Sequence, residues 1–119
     1  MRPDAFELFL RYHLGLDAEL RPRFYNLAGL AREYGVDRPV AEGWLRDARL
    51  SADVTGHVDF RLAEAHGEIQ LLALTAPRQE VLAFARRCFQ GYQAALGTYD
   101  PARFRHGTDW DDLWGDKAE

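Results

Sequence analysis

Residues 60–97 read FRLAEAHGEIQLLALTAPRQEVLAFARRCFQGYQAALG, and the spacing of their apolar positions decides the fold class. From Phe60 to Leu74, behind Asp59, the pattern is helical and apolar over most of the circumference. Arg61, Glu64, Glu68 and Thr75 fall in one narrow stripe at 100° per residue. A helix so apolar is expected to be the central one of a bundle, with His66 opposite the polar stripe and facing the core. Pro77 restarts the chain into a long amphipathic helix. Its expected buried face is Val81, Phe84, Ala85, Cys88, Phe89, Tyr92 and Leu96, and Gly97 closes it.

Working outward toward the N-terminus, Asp4 to about Leu14 forms a first helix, with Phe6, Phe9, Leu10 and His13 on one face and Gly15 behind it. Leu16–Tyr25 contains Pro22 and reads as a loop or a broken helix. Asn26 caps Leu27–Tyr34, Gly35 ends that helix, and Asp37 caps a third that runs through Trp44 to Leu50 with Pro39 in its first turn. Ser51–Gly56 is a turn or a single helical turn. No segment alternates like a strand. The expected architecture is all-α: a small bundle of about four main helices with a helical hairpin and a short C-terminal helix. Its core is drawn from Phe6, Phe9, Leu30, Trp44, Leu62, Ile69, Leu72, Val81, Phe84 and Cys88. Residues 1–97 form the helical domain, with the hairpin at 27–50, and residues 98–119 form an acidic, aromatic tail.

Within that hairpin, residues 30–45 read LAREYGVDRPVAEGWL. The segment resembles the helix-turn-helix unit of bacterial regulators and recombinases. Ala31 sits where the second helix crosses the first. Gly35 occupies the left-handed turn position, Tyr34 and Val36 seal the turn, and Trp44 and Leu45 pack the second helix on the first. The resemblance covers 16 residues. It implies a DNA-reading face at Asp37, Arg38, Pro39, Glu42 and Gly43, of which Arg38 alone is a good reader of base edges. Arg21, Arg23, Arg46 and Arg49 are the candidate phosphate contacts, with Asp47 lying among them.

The charge distribution weighs against nucleic acid. The chain of 119 residues has a net charge of −4, and its first 50 residues carry eight arginines against eight acids. From Thr98 to Glu119 six acids face Arg103, Arg105 and Lys117, which places −3 of the net charge in the tail. Proteins that live on nucleic acid draw most of their affinity from neutralised phosphates and are usually basic. Arginine supplies 14 of the 15 basic side chains, a choice that suits bidentate contacts but also follows from genome composition.

No apolar run reaches the ~18 residues of a membrane span and no signal-peptide pattern is present, so a cytoplasmic protein without a membrane partner is expected. The single cysteine, Cys88, excludes an internal disulfide and a CxxC zinc knuckle. It falls on a buried helix face, where it acts as a small hydrophobe. Phosphate loops, dinucleotide fingerprints, nucleophile elbows and HExxH are absent. His66 reads as a hydrogen-bonded core histidine. Asp53 and His57 share a helical face without completing a metal site, and Asp109, Asp111 and Asp112 lack the spacing of an EF-hand. No catalytic residue, metal or cofactor is assigned. Gly67 and Gly91 interrupt two strong helices, each costing ~1 kcal/mol against Ala, and are expected where helix backbones approach closely.

The tail Thr108–Gly115 reads TDWDDLWG. Thr108 and Asp111 form a capping box, the acids sit at the positive end of the turn, and Trp110, Leu113 and Trp114 point one way. So short a helix must dock its apolar face, either on its own bundle or in a groove of another protein. The expected function is a non-catalytic regulatory or adaptor module that uses the hairpin scaffold for protein contacts. A DNA-binding transcriptional regulator is the alternative, and an enzyme is the third reading.

Overall fold

A computed structural model describes residues 2–102 as an all-helical globule, with no strand among the described residues beyond one isolated bridge between Leu16 and Pro22. In chain order the helices are α1 (Ala5–Leu8), which continues as a π-helical segment (Phe9–His13), α2 (Leu27–Tyr34), α3 (Arg38–Asp47), α4 (Ala52–Thr55), α5 (Leu62–Thr75) and α6 (Arg78–Ala95), closed by a 3₁₀ turn (Leu96–Thr98). The candidate helix in the tail, with Trp110, Leu113 and Trp114, lies outside the described residues.

The caps explain most of the boundaries. Asp4 accepts from the Glu7 amide at 2.8 Å and Asn26 from the Gly29 amide at 2.8 Å, each satisfying an orphan donor of a first turn. Gly35 ends α2 at φ +66°, and the Val36 amide returns to the Ala31 carbonyl at 3.0 Å. Asp37 stands at the N-cap of α3, but its side chain makes no capping bond, contrary to expectation; its carbonyl takes the amides of Val40 and Ala41.

The centre of the molecule is the N-terminal helix, not α5. Phe9, Leu10, Arg11, Tyr12 and His13 are five consecutive buried residues. The π-helical segment, in which the Leu14 amide reaches back five residues to Phe9, turns them toward neighbours on every side. Phe9 packs on Phe89 at 5.4 Å and Tyr92 at 5.6 Å on α6, and Phe6 meets Phe89 edge-on at 5.5 Å. From α5, Gln70 donates to the carbonyls of Leu14 and Gly15 at 2.7 and 2.9 Å. The sequence-predicted core is otherwise recovered. Phe9, Leu30, Leu62, Ile69 and Val81 are buried, and Phe6, Trp44, Leu72, Phe84 and Cys88 pack partly buried against them. By contrast α5 buries only Leu62, Ala65 and Ile69. Apolar sequence did not make it central, because the elements that surround the N-terminal helix leave the opposite side of α5 uncovered.

Candidate functional site

Two surfaces compete for the functional assignment, the hairpin and the outer face of α5. The hairpin is built from α2 and α3 joined by Gly35–Asp37. Ala31, Ala41 and Leu45 are buried where the helices cross, and Tyr34 meets Trp44 edge-on at 5.8 Å. The outer side of α3 presents Pro39, Glu42, Arg46, Asp47 and Val40, which is 44% exposed. Arg38, at the first helical position, is half-buried.

The candidate phosphate-binding arginines are not gathered into one basic patch. Arg21 pairs with Asp17 and Glu19 at 3.7 and 3.8 Å in the loop before α2. Arg23 pairs with Glu33 at 3.6 Å and lies over the Tyr25 ring. Arg46 pairs with Glu42 one turn earlier at 3.6 Å, and Asp47 on the same helix holds Arg2 at 2.7 Å. Arg49, at φ +60°, stacks over Tyr99 while its carbonyl accepts the Tyr92 hydroxyl at 2.6 Å. Arg21, Arg23 and Arg46 thus pair with four different carboxylates, and Arg49 lies on a ring. These exposed pairs contribute little to stability, yet each sets a negative charge beside its arginine and weakens the field that a phosphate would meet.

Sequence reasoning passed over a polar cluster between the N-terminal helix and α2. The buried Arg11 guanidinium contacts Glu33 at 3.4 Å and Glu7 at 3.8 Å and lies over the Tyr34 ring at 5.4 Å. The Tyr34 hydroxyl donates to Glu7, and its burial, then that bond, pushes its pKa far up. Two acids and one ring around one cation is how a buried charge is tolerated. The cluster is internal mortar, invisible to a periodicity count because the π-helical segment rotates Arg11 inward.

His13 is wholly buried and donates from Nε2 to the Leu50 carbonyl at 2.7 Å, while its Nδ1 has no hydrogen-bond partner. A second proton would be buried without an acceptor, so burial first, and then the nearby His66, lower its pKa to about 4. His66 donates from Nδ1 to the His13 carbonyl at 3.1 Å, as a hydrogen-bonded histidine half in the core. It borders a cavity of about 230 Å³ with Pro22, Arg23, Phe24 and Gln70; Glu64, His57 and Cys88 do not line it. His57 donates from Nδ1 to the Asp53 carbonyl at 3.1 Å. Burial, and then Glu68, raise the pKa of Cys88, which keeps it a thiol. Among the described residues no group of three His, Cys, Asp or Glu side chains converges as metal ligands.

The outer face of α5 is the larger exposed apolar feature. Leu71 and Leu74 are 70% and 71% exposed. At 100° per residue they share a stripe with Ala63 and Gly67, both also exposed, and the stripe lies opposite the buried Ile69. Gly67 has no atom within 4 Å of where a Cβ would stand, so the expected close approach to another helix of this chain is absent there. At Gly91 the approach is real, but the neighbour is the ring of Phe60 at 3.2 Å, not a backbone. Beside the stripe runs a groove of about 540 Å³ between Glu68, Leu71 and Leu72 of α5 and Glu80, Phe84 and Arg87 of α6. Among the described residues no helix is long and apolar enough to cross a membrane. Comparison with protein-family models, curated proteins and solved structures finds no match for this chain.

Proposed function

We propose that the chain is a non-catalytic protein-binding module, regulatory or adaptor in character, built on a helix-turn-helix-like scaffold. The observation that carries this reading is the bare leucine pair on α5, Leu71 and Leu74, beside an open groove with charged walls. Water pays no compensation for two leucines left out on one stripe, and contiguous exposed apolar surface marks contact sites. In this reading Trp110, Leu113 and Trp114 of the tail supply a second set of anchors, since large aromatics dominate interface energetics. The test is capture of a partner from native extract by the full chain and by the Leu71→Glu/Leu74→Glu double variant. A partner bound by the first and lost with the second is expected; equal capture by both overturns the assignment of the face.

The hairpin keeps a second reading, DNA binding by a transcriptional regulator. It is favoured by the geometry of the Gly35–Asp37 turn and by Arg38 at the first helical position of α3. Arg38 would then read base edges, with Arg21, Arg23, Arg46 and Arg49 on phosphates. If all five contacted DNA, log affinity would fall with log salt at a slope of about −4 to −5. Saturable binding to duplex at low salt, lost in Arg38→Ala and Arg46→Ala, supports this reading, and no binding at low salt removes it.

A further inference from the structure

We infer that the outer face of α5 is a self-association surface and that its occupant is a second copy of this chain, paired antiparallel about a two-fold axis near Glu68–Ile69. The inference deepens the protein-binding reading given above and rests on it.

The argument begins with the order of residues along the stripe. Its N-terminal half is small, Ala63 and Gly67, and its C-terminal half is large, Leu71 and Leu74; all four are exposed. A two-fold interface brings the same patch to itself, so each knob on the patch must find its hole on the same patch. Antiparallel pairing about the middle of α5 does this. Leu71 is set over Gly67 of the second copy and Leu74 over Ala63, twice each by symmetry. Gly67 is unexplained within the chain, where open space surrounds it and Ala would be the better helix former. Under the second copy's Leu71 the missing Cβ has a use, because it lets the helices approach closely.

Charge follows the same symmetry. Glu68 and Thr75 line the groove from α5 and Glu80 and Arg87 from α6, while Arg61, exposed at the N-cap of α5, pairs with Glu64 at 3.0 Å in its own chain. Antiparallel pairing carries exposed Arg61 to the Thr75–Glu80 end of the second copy. It also brings Glu68 to the Arg87 of the second copy's groove wall. Opposite charges therefore meet at both ends, and near the axis the two Glu68 carboxylates are flanked by the two Arg87 side chains, whereas a parallel pairing would stack Leu71 on Leu71 and Glu80 on Glu80. With 14 residues, α5 is about 21 Å long. One such pair with its groove walls belongs at the small end of stable interfaces, so affinity on the order of micromolar is expected.

The test is sedimentation equilibrium of the full chain across the micromolar range, with circular dichroism as the check on folding. A reversible monomer–dimer equilibrium is expected. Leu71→Glu/Leu74→Glu should weaken it tenfold or more with helix content unchanged, and Arg61→Glu should weaken it several-fold. Arg61→Glu combined with Glu80→Arg should recover it. A chain that stays monomeric overturns the inference, as does a dimer indifferent to the leucine pair or to the charge reversal. If the chain is monomeric but Leu71→Glu/Leu74→Glu still abolishes capture of another protein, the self-pairing falls and the protein-binding reading stands. Truncation after Gly107 that converts a monomer to a dimer would show the tail to be the occupant, and this too overturns the second copy.

Discussion

The helix at residues 5–13 and α5 share hydrogen bonds through His66 and Gln70, yet one is surrounded and the other is walled on one side. The first carries Glu7, Arg11, Tyr12 and His13 and is the more polar by composition; six consecutive residues of it, Leu8 to His13, are nevertheless buried. The second is nearly free of charge on the stripe opposite the core and leaves two leucines bare. Position in a bundle is thus decided by the supply of partners. The N-terminal segment has an acid for its arginine, a carbonyl for its histidine and aromatic rings for its phenylalanines, so it can be enclosed. Nothing described in the chain covers the outer side of α5, whatever its hydropathy.

The sharpest way to break this comparison is to cut one large side chain from each region. Phe9 is fully buried against Phe89, Tyr92 and His13. Phe9→Ala is expected to cost about 3–5 kcal/mol, enough to bring a domain of ordinary stability close to unfolding. Leu71→Ala, measured in dilute monomer, should change stability by no more than about 0.5 kcal/mol. Urea denaturation of both variants decides it, and similar costs would show that α5 is covered after all.

Acid should act on the enclosed region. His13 is neutral in the folded protein, with its pKa lowered by burial to about 4 from the ordinary histidine value of 6.5. Between those values the unfolded chain binds the extra proton, so the contribution of His13 is complete above about pH 6.5 and shrinks as pH falls toward 4. From pH 7 to pH 5 the loss is about 2 kcal/mol. His13→Gln keeps an N–H to offer the Leu50 carbonyl and does not titrate, so its stability should be flatter over the same interval. Equal slopes for the two proteins would place the acid sensitivity elsewhere.

The glycine at the end of the N-terminal helix sharpens the contrast. Gly15 sits at φ +70°, and a Cβ there would stand 2.9 Å from His66 Cε1, 3.0 Å from Gln70 Nε2 and 3.3 Å from the Arg23 carbonyl. Gly35 has a similar φ of +66° with nothing nearby. Gly35→Ala should therefore cost about 1 kcal/mol from the backbone alone, and Gly15→Ala about 1–2 kcal/mol because α5 must also shift. Thermal melts that rank the two the other way would mean that the joint between the N-terminal segment and α5 yields freely.

Much of this was readable in the sequence, and the misses have physical causes. The bounds of α2 and α6 follow from Asn26, Gly35 and Pro77, which act locally and leave a mark at a fixed place. Burial of Phe9, Leu30, Ile69 and Val81 follows from periodicity, which reports a face. Neither signal reports which other helix will meet that face. The inward turn of Arg11 depends on a π-helical segment that a 3.6-residue count does not contain. Arg23 and Arg46 are legible as basic side chains, but Glu33 and Glu42 pair with them through contacts that composition cannot locate.

The smallest effect carries the most discrimination. Gly67 is exposed in the interior of α5 with open space around it, so Gly67→Ala should stabilise the monomer by about 0.5–1 kcal/mol through helix propensity. If the stripe packs against a second copy, the same methyl group lies under the incoming Leu71 and should weaken the dimer several-fold. Stability and self-association would then move in opposite directions on one substitution, which neither a general loosening nor a general tightening of the fold can produce. Denaturation at low concentration and sedimentation at high concentration read the two quantities separately. A variant that gains stability and keeps its dimer would locate the contact away from Gly67, whereas one that loses stability would show that this backbone is already in contact within its own chain.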